Sequence, residues 1–124
     1  MDYQLDIEEH PTYLHFRVTG KNTPETVRRY LFEIYTICAR QNCSTVLIEE
    51  NLEGAGLGLV EIYKIVSEGS QRKSMPVRRV AYVDLNPEHS SANMDFAKDV
   101  AVNRGLDVRV FATVAEAEGW LRPG

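Results

Sequence analysis

The sequence contains few of the features that mark secreted or membrane-spanning proteins. It has two cysteines, Cys38 and Cys43, which form neither a Cys-x-x-Cys pair nor a disulfide framework. We expect both thiols to be reduced, with Cys38 packed on a helix face. No apolar run approaches the ~20 residues that span a bilayer, and the polar start at Met1–Gln4 lacks the basic and apolar regions of a signal peptide. These absences predict a cytoplasmic protein with no membrane span.

Basic residues and histidines are also scarce. Lys and Arg total 14 against 18 Asp and Glu, which gives a net charge of -4 and a pI near 5.4. Such a surface is not built to neutralise a phosphate backbone, so nucleic acid is not an expected partner. The three histidines, His10, His15 and His89, form no His-x-x-x-His pair. The spacing therefore predicts no metal or other cofactor, and a metal site would have to assemble from distant residues.

The composition that remains is typical of one soluble globular domain. The chain has 124 residues, of which 44% are hydrophobic and 26% charged. A chain of this length can bury ~two-thirds of its unfolded surface around a single core. We therefore expect residues 1–124 to form a single domain.

The first part of the chain predicts two strands and a helix. Residues 3–7 alternate weakly between polar and apolar and residues 13–18 do so clearly, and a hairpin through residues 9–11 would join them. The second strand has one apolar face, formed by Leu14, Phe16 and Val18. Thr23 followed by Pro24 predicts a helix start, because threonine caps the first turn and proline loses no hydrogen bond there. The core stripe of this helix is predicted to be Val27, Tyr30, Leu31, Ile34, Tyr35 and Cys38.

The rest of the chain alternates strands with helices. Strands are predicted over residues 45–48, 77–83 and 108–111. The first of these ends in Glu49 and Glu50, and a glycine-bearing loop over residues 51–56 follows it. Helices are predicted around Leu59, Ile62, Tyr63 and Val66, after the start signal Asn86–Pro87 as far as about Gly105, and after the capping box of Thr113 and Glu116 as far as Leu121.

The resulting order is β-β-α-β-α-β-α-β-α. Strands that alternate with helices of this length imply right-handed crossovers between parallel strands. The predicted class is α/β, with a mostly parallel sheet of about five strands and about four helices.

The chain resembles the SpoIIAA-like group of the STAS domains. The resemblance rests on the element order, the acidic residues at strand ends, the segment Gly56-Leu57-Gly58 before the second helix and the C-terminal strand and helix over Val110–Leu121. It implies a right-handed superhelix of β-α units in a bacterial protein. It also implies a role that is usually non-enzymatic, in binding proteins or small ligands.

Phosphorylatable members of that group carry Asp-Ser-Ser/Ala-Gly-Leu before the second helix, and a partner kinase phosphorylates the first serine. The matching stretch here runs from Glu53 to Leu57, with Gly54 at the phosphoacceptor position and Ala55 and Gly56 after it. Glycine has no hydroxyl that could accept phosphate. The loop before Gly54 is also shorter than the corresponding loop in the phosphorylatable members usually is. The resemblance therefore predicts the fold and a broad binding role, without a phosphorylation switch.

One candidate ligand site lies where the parallel strands end. Helix N-termini and strand-end loops meet at this edge of an α/β sheet. The candidate residues are Glu50, Gly54, Gly56, Gly58, Asp84, Asn86 and His89. A phosphate-binding turn is disfavoured, because the Gly-x-Gly-x-Gly spacing lacks the third glycine of the dinucleotide fingerprint and no Walker lysine follows. Glutamates beside this turn would also repel phosphate.

If most of the helices lie on one face of the sheet, the other face is the candidate interaction surface. It combines polar and apolar residues, with Tyr13, His15, Arg17 and Phe111 as candidates beside Thr45, Leu47 and Arg109. Because parallel sheets are rarely left open to water, this face should be covered by a helix or by a second subunit. We therefore expect either self-association into a homo-oligomer, for example a dimer, or a protein partner. The chain also has basic residues on other faces. They are either solvated side chains or a binding surface for an acidic partner or an anionic headgroup, and they include Arg28, Arg29, Arg72, Lys73, Arg78 and Arg79.

Three functional hypotheses follow. The first is a non-catalytic STAS-like binding or protein-interaction module. The second is a carrier that holds a small molecule or lipid between sheet and helices. The third is an enzyme in which Glu49, Glu50, Asp84 and His89 converge, although no motif indicates a reaction and no catalytic residue is predicted.

Overall fold

The fold is built from alternating strands and helices, eight of which have defined bounds in the described part of the chain. The computed structural model describes residues 3–54, 61, 64, 65, 68, 77–87, 91–103 and 106–122. The elements are β1 (Tyr3–Glu9), β2 (Leu14–Lys21), α1 (Pro24–Gln41), β3 (Thr45–Glu53), β4 (Arg79–Asp84), α2 (Ser91–Asn103), β5 (Asp107–Phe111) and α3 (Val114–Leu121).

The strands form one five-stranded sheet in the order β1-β2-β3-β4-β5. β1 and β2 are antiparallel, and every later neighbour is parallel. This arrangement confirms the predicted α/β class and the mostly parallel sheet. Three helices are described rather than about four, and the apolar positions of the predicted second helix, Leu59, Ile62, Tyr63 and Val66, lie outside the described residues. Within the described part of the chain, no helix is long and apolar enough to cross a membrane.

Helix α1 begins and ends where its sequence predicts. The Thr23 hydroxyl accepts a hydrogen bond from the Thr26 amide at 3.1 Å, and Pro24 occupies the first turn. At the other end Asn42 adopts a left-handed conformation with φ 53°, and its amide bonds to the Cys38 carbonyl. The side chains that α1 buries include Tyr30, Ile34 and Cys38.

The sheet has a buried layer on each face. On one face the apolar side chains of β2 and β3 pack against α1, with Phe16, Val18, Ile34 and Val46 among the fully buried residues. On the other face α3 places Ala117 and Leu121 over Tyr13, Leu47, Ala81 and Val83. The cover predicted for this second face is therefore supplied by a helix of the same chain.

The structure corrects the predicted end of β3. The strand continues to Glu53, so Glu50 lies inside it rather than after it, and the predicted loop at 51–56 begins only at Gly54. The extension follows from pairing, because β2 runs to Lys21 and keeps β3 in register as far as Glu53. The Asn22 amide also donates to the Glu53 carbonyl at 2.8 Å.

Two further boundaries differ from the predictions. β4 begins at Arg79 rather than at residue 77, although Val77 is fully buried. Pro87 lies in a turn, and the helix predicted to start at Asn86–Pro87 is described from Ser91. The Asn86 side chain bonds to the end of β3, which accounts for its place beside the sheet.

Candidate functional site

The predicted edge of the sheet does bring several candidate residues together. Glu50 and Asp84 are register partners on the parallel strands β3 and β4. The Leu85 amide donates to the Glu50 carbonyl at 2.8 Å, and the Asn86 amide donates to Asp84 Oδ1 at 2.9 Å. Backbone and side chains at this edge are therefore joined by hydrogen bonds.

Asn86 also reaches across to β3. Its side-chain amide donates to the Leu52 carbonyl at 2.6 Å and lies 3.4 Å from the Gly54 carbonyl. Gly54 has φ 108°, a conformation that favours glycine. Asn86 thus braces the end of β3, and the other three candidates, Gly56, Gly58 and His89, lie outside the described residues.

Glu50 points into the apolar layer under α1. It is buried, and its carboxylate accepts a hydrogen bond from the Tyr30 hydroxyl. Burial, followed by the negative charge of Glu50, raises the pKa of Tyr30 and the pKa of Tyr82 well above the usual range. Both phenols therefore stay protonated and surround the carboxylate. This enclosure suits a structural hydrogen-bond network better than a base that meets a substrate.

A second polar cluster lies on the face covered by α3. Glu8 and His15 are register partners across the antiparallel β1–β2 pair. His15 is buried, and its Nε2 lies 2.9 Å from Glu49 Oε1 on β3. Its Nδ1 lies 3.5 Å from Glu8 Oε2, and His10 Nε2 lies 3.6 Å from that same oxygen. Two imidazoles therefore converge on one carboxylate oxygen.

Arg17 supplies the positive charge at this cluster. Its Nη2 lies 2.8 Å from Glu8 Oε2, and its Nε lies 3.6 Å from Glu49 Oε1. The hydrogen bond from Arg17 is the main reason that the pKa of Glu8 is lowered, so Glu8 is ionised at neutral pH.

The four predicted interaction-surface residues differ in how far they are exposed to solvent. Tyr13 and His15 are buried within the chain, and the Tyr13 hydroxyl donates to Glu118 at 3.2 Å. Phe111 is partly buried beside Trp120, with ring centroids 5.7 Å apart. Arg17 is therefore the most open of the four, because α3 and the neighbouring carboxylates occupy the rest of this face.

Three residues of the predicted basic faces, Arg28, Arg29 and Arg79, are engaged within the chain. Arg79 lies over the Trp120 ring at 3.9 Å and donates to the Trp120 carbonyl at 3.1 Å. Arg28 pairs with Glu68 at 3.2 Å, and Arg29 pairs with Glu25, one turn earlier in α1, at 2.7 Å. Arg72 and Lys73 lie outside the described residues. These pairings do not favour a basic patch for an anionic headgroup.

A groove runs along the outer side of α1 and has a volume of about 630 Å³. Phe32 lies in it with 54% of its surface exposed, in the middle of a helix whose opposite side is buried. Its apolar lining includes Tyr3, Leu31, Tyr35, Ile37 and Ile65, and its charged lining includes Arg28, Arg29, Glu33, Arg40 and Glu68. Exposed apolar surface beside apolar walls is typical of protein contact sites.

Sequence patterns identified neither the histidine cluster nor the groove. For the cluster, the signal was the hairpin through residues 9–11, because its register determines whether Glu8 faces His15. For the groove, the signal was Phe32, an aromatic residue outside the predicted core stripe of α1.

Comparison with solved structures shows a SpoIIAA-like fold. An anti-sigma factor antagonist from Mycobacterium paratuberculosis superposes with a TM-score of 0.62 and 11% identity, over 98% of this chain and 95% of that one. An uncharacterised DUF3478-family protein with a SpoIIAA-like fold from Shewanella loihica gives a TM-score of 0.56 and 20% identity, over 97% and 94% of the two chains. No protein-family description and no curated protein matches the sequence. The fold expected from the resemblance is confirmed.

Proposed function

We propose that this chain is a non-catalytic, STAS-like protein-interaction domain that works without a phosphoserine switch. The observation that carries the proposal is the groove beside α1, in which Phe32 exposes about half of its surface. A partner protein that inserts an apolar side chain beside Phe32 would remove this surface from water. Anchors of this kind dominate the energy of many protein interfaces.

The fold supports the same class of function. A solved structure that covers nearly the whole chain is that of an anti-sigma factor antagonist, whose name describes action on another protein. Gly54 has no hydroxyl to accept phosphate, and its φ of 108° disfavours serine or threonine at that position. We therefore propose an interaction that phosphorylation of this loop does not regulate.

The two other hypotheses have less support. A carrier for a lipid or small molecule needs a pocket that buries ~70–90% of its ligand, whereas the groove beside α1, in the part of the chain that the structure describes, is partly open to solvent. An enzyme that uses Glu50 needs that carboxylate to meet a substrate, whereas Tyr30 and the sheet enclose it.

The test compares Phe32→Glu with a matched control. Val102 on α2 is 47% exposed, so Val102→Glu introduces the same charge at a similarly exposed apolar position outside the groove. Proteins that co-purify with the wild-type chain are identified, produced in pure form and titrated against all three chains. We expect Phe32→Glu to raise the Kd at least about tenfold, as loss of an interface anchor does, and Val102→Glu to leave it unchanged.

The proposal fails if the purified partner binds the Phe32→Glu chain as tightly as the wild type. It also fails if native mass spectrometry shows a small molecule retained in stoichiometric amount, an outcome that favours the carrier hypothesis. Circular dichroism of each variant checks that the fold is kept.

A further inference from the structure

We propose that Glu8, His10 and His15 form a binding site for a divalent transition-metal ion of the zinc type. One carboxylate oxygen and two ring nitrogens, one from each residue, lie within 4.8 Å of one another. The two nitrogens lie 3.6 Å and 3.5 Å from Glu8 Oε2. Ligands of a tetrahedral zinc ion lie about 3.3 Å apart, given metal–ligand distances near 2 Å. The carboxylate and each imidazole are thus close to the spacing that such an ion requires.

The ring nitrogens provide an independent observation. His10 Nε2 and His15 Nδ1 are both shielded from water and have no hydrogen-bond partner in the described part of the chain. The His15 side chain is only 3% exposed. Buried polar atoms are normally paired, so two unpaired nitrogens directed at one carboxylate indicate that a ligand belongs between them.

The hydrogen bond to Glu49 places His15 in the form that binds metals. Glu49 Oε1 lies 2.9 Å from Nε2, and a carboxylate can only accept, so the neutral ring carries its proton on Nε2. The lone pair is then on Nδ1, which faces Glu8. A carboxylate that orients a histidine through its second nitrogen is the usual outer partner of a metal-bound imidazole.

His10 is positioned by the turn between β1 and β2. Its ring stacks on Tyr13 with centroids 4.4 Å apart and an interplanar angle of 10°. Its backbone amide donates to the Tyr13 carbonyl at 3.0 Å. Both ends of the residue are therefore held, and its Nε2 needs little movement to reach an ion.

The chemistry of the donors selects the ion. Two imidazoles and one carboxylate suit zinc and its neighbours, whereas calcium and magnesium prefer all-oxygen sites. Glu8 is 47% exposed, so water can complete the coordination. The site lies on the face covered by α3 and does not involve the groove beside α1.

Arg17 is the competitor for this ion. It already holds Glu8 Oε2 at 2.8 Å, and its side chain is 44% exposed. Arg17 can therefore turn into solvent when the ion binds, and removal of its charge should strengthen binding. Of the charges around the cluster, Glu8 and Glu49 attract the cation and Arg17 repels it.

The experiment titrates the metal-free chain with zinc chloride by calorimetry. We expect one ion per chain in the wild type, affinity weakened at least about tenfold in His10→Gln and Glu8→Gln, and tighter binding in Arg17→Met. His89→Gln, which removes the third imidazole and keeps Glu8, His10 and His15, is the control and should bind as the wild type does. Phe32→Glu should also bind zinc normally, which separates this proposal from the proposed function.

A second readout does not depend on variants of the buried His15. Nitrogen-15 spectra of the imidazoles should show zinc-induced shifts at Nε2 of His10 and at Nδ1 of His15. Absence of saturable binding would overturn the proposal. So would zinc binding of unchanged affinity in His10→Gln, loss of binding in His89→Gln, or shifts at the opposite nitrogens.

Discussion

The Tyr30 hydroxyl donates a hydrogen bond to the buried Glu50 carboxylate and so joins α1 to β3 inside the apolar layer. Tyr30→Phe keeps the ring and removes the donor, which leaves Glu50 with one partner fewer. We expect the free energy of unfolding to fall by about 1–3 kcal/mol, as for loss of a buried hydrogen bond to a carboxylate. Urea unfolding of the wild type and the variant measures this difference in free energy. Tyr13→Phe is the control, because its 3.2 Å bond to Glu118 is only partly buried and should contribute less.

Alkaline pH should destabilise the fold through its tyrosines. Burial and a hydrogen bond to Glu33 raise the pKa of Tyr3 to about 12, and the pKa values of Tyr30 and Tyr82 are also raised. An unfolded tyrosine loses its proton near pH 10, so between about pH 10 and 12 the folded chain holds more protons than the unfolded chain. The free energy of unfolding should therefore be constant below about pH 9 with respect to these groups and should fall above pH 10.

Denaturant unfolding at increasing pH checks this prediction. Tyr82→Phe should make the fall less steep, because it removes one of the groups that titrates differently in the two states. A slope unchanged by this substitution would contradict the assignment.

The two cysteines should differ in reactivity. Burial is the main cause that raises the pKa of the Cys38 thiol to about 12, whereas Cys43 is only partly buried. Because the thiolate is the reactive form, Cys38 should resist a disulfide reagent at about pH 8 until the chain unfolds. The Cys43→Ser chain should show no rapid reaction in the native state and one thiol in denaturant. Rapid native labelling of that variant would show that Cys38 is accessible.

Gly54 and Gly119 offer a matched pair of glycine substitutions. An added Cβ would meet no atom within 4 Å at either position, but only Gly54 has a positive φ, of 108°. Gly54→Ala should therefore cost about 1–3 kcal/mol of backbone strain. Gly119→Ala, inside helix α3, should raise stability by about 0.5–1 kcal/mol. Equal effects in thermal unfolding would show that Gly54 does not need its backbone conformation.

Self-association through the second sheet face stays a prediction. α3 covers the centre of that face, so any contact between copies would involve the area around Arg17 and the rim of α3. Sedimentation over a range of concentrations tests it, and a monomer at the highest concentration would exclude it.

Local signals in the sequence predicted the starts of α1 and α3 correctly, whereas the start predicted at Asn86–Pro87 differs from the described helix. Thr23 and Thr113 cap α1 and α3 as expected, because a cap depends on a few neighbouring residues. At Thr113 the hydroxyl donates to the Glu116 carboxylate at 3.2 Å, whereas in a capping box the backbone amide of the cap residue would donate to that carboxylate.

Features that depend on register between distant strands were predicted less well. The end of β3 was misplaced because four of the five residues from Glu49 to Glu53 are polar, with Leu52 as the exception, whereas pairing with β2 extends the strand. The pairing of β2 with β3 places Glu50 inside the core. The pairing of β1 with β2 brings Glu8 opposite His15. Neither can be read from spacing along the chain.

Every strand of this sheet after β1 pairs with the strand that comes before it in the chain. During synthesis each strand can therefore dock as soon as it leaves the ribosome, because no edge has to stay open for a later insertion. Each pairing closes only one intervening segment, which keeps the entropy lost at each step small. Helix α3 then packs on the second face of the sheet, which Ala117 and Leu121 cover. The order of synthesis is thus also the order in which apolar surface is buried, and the last helix completes the burial.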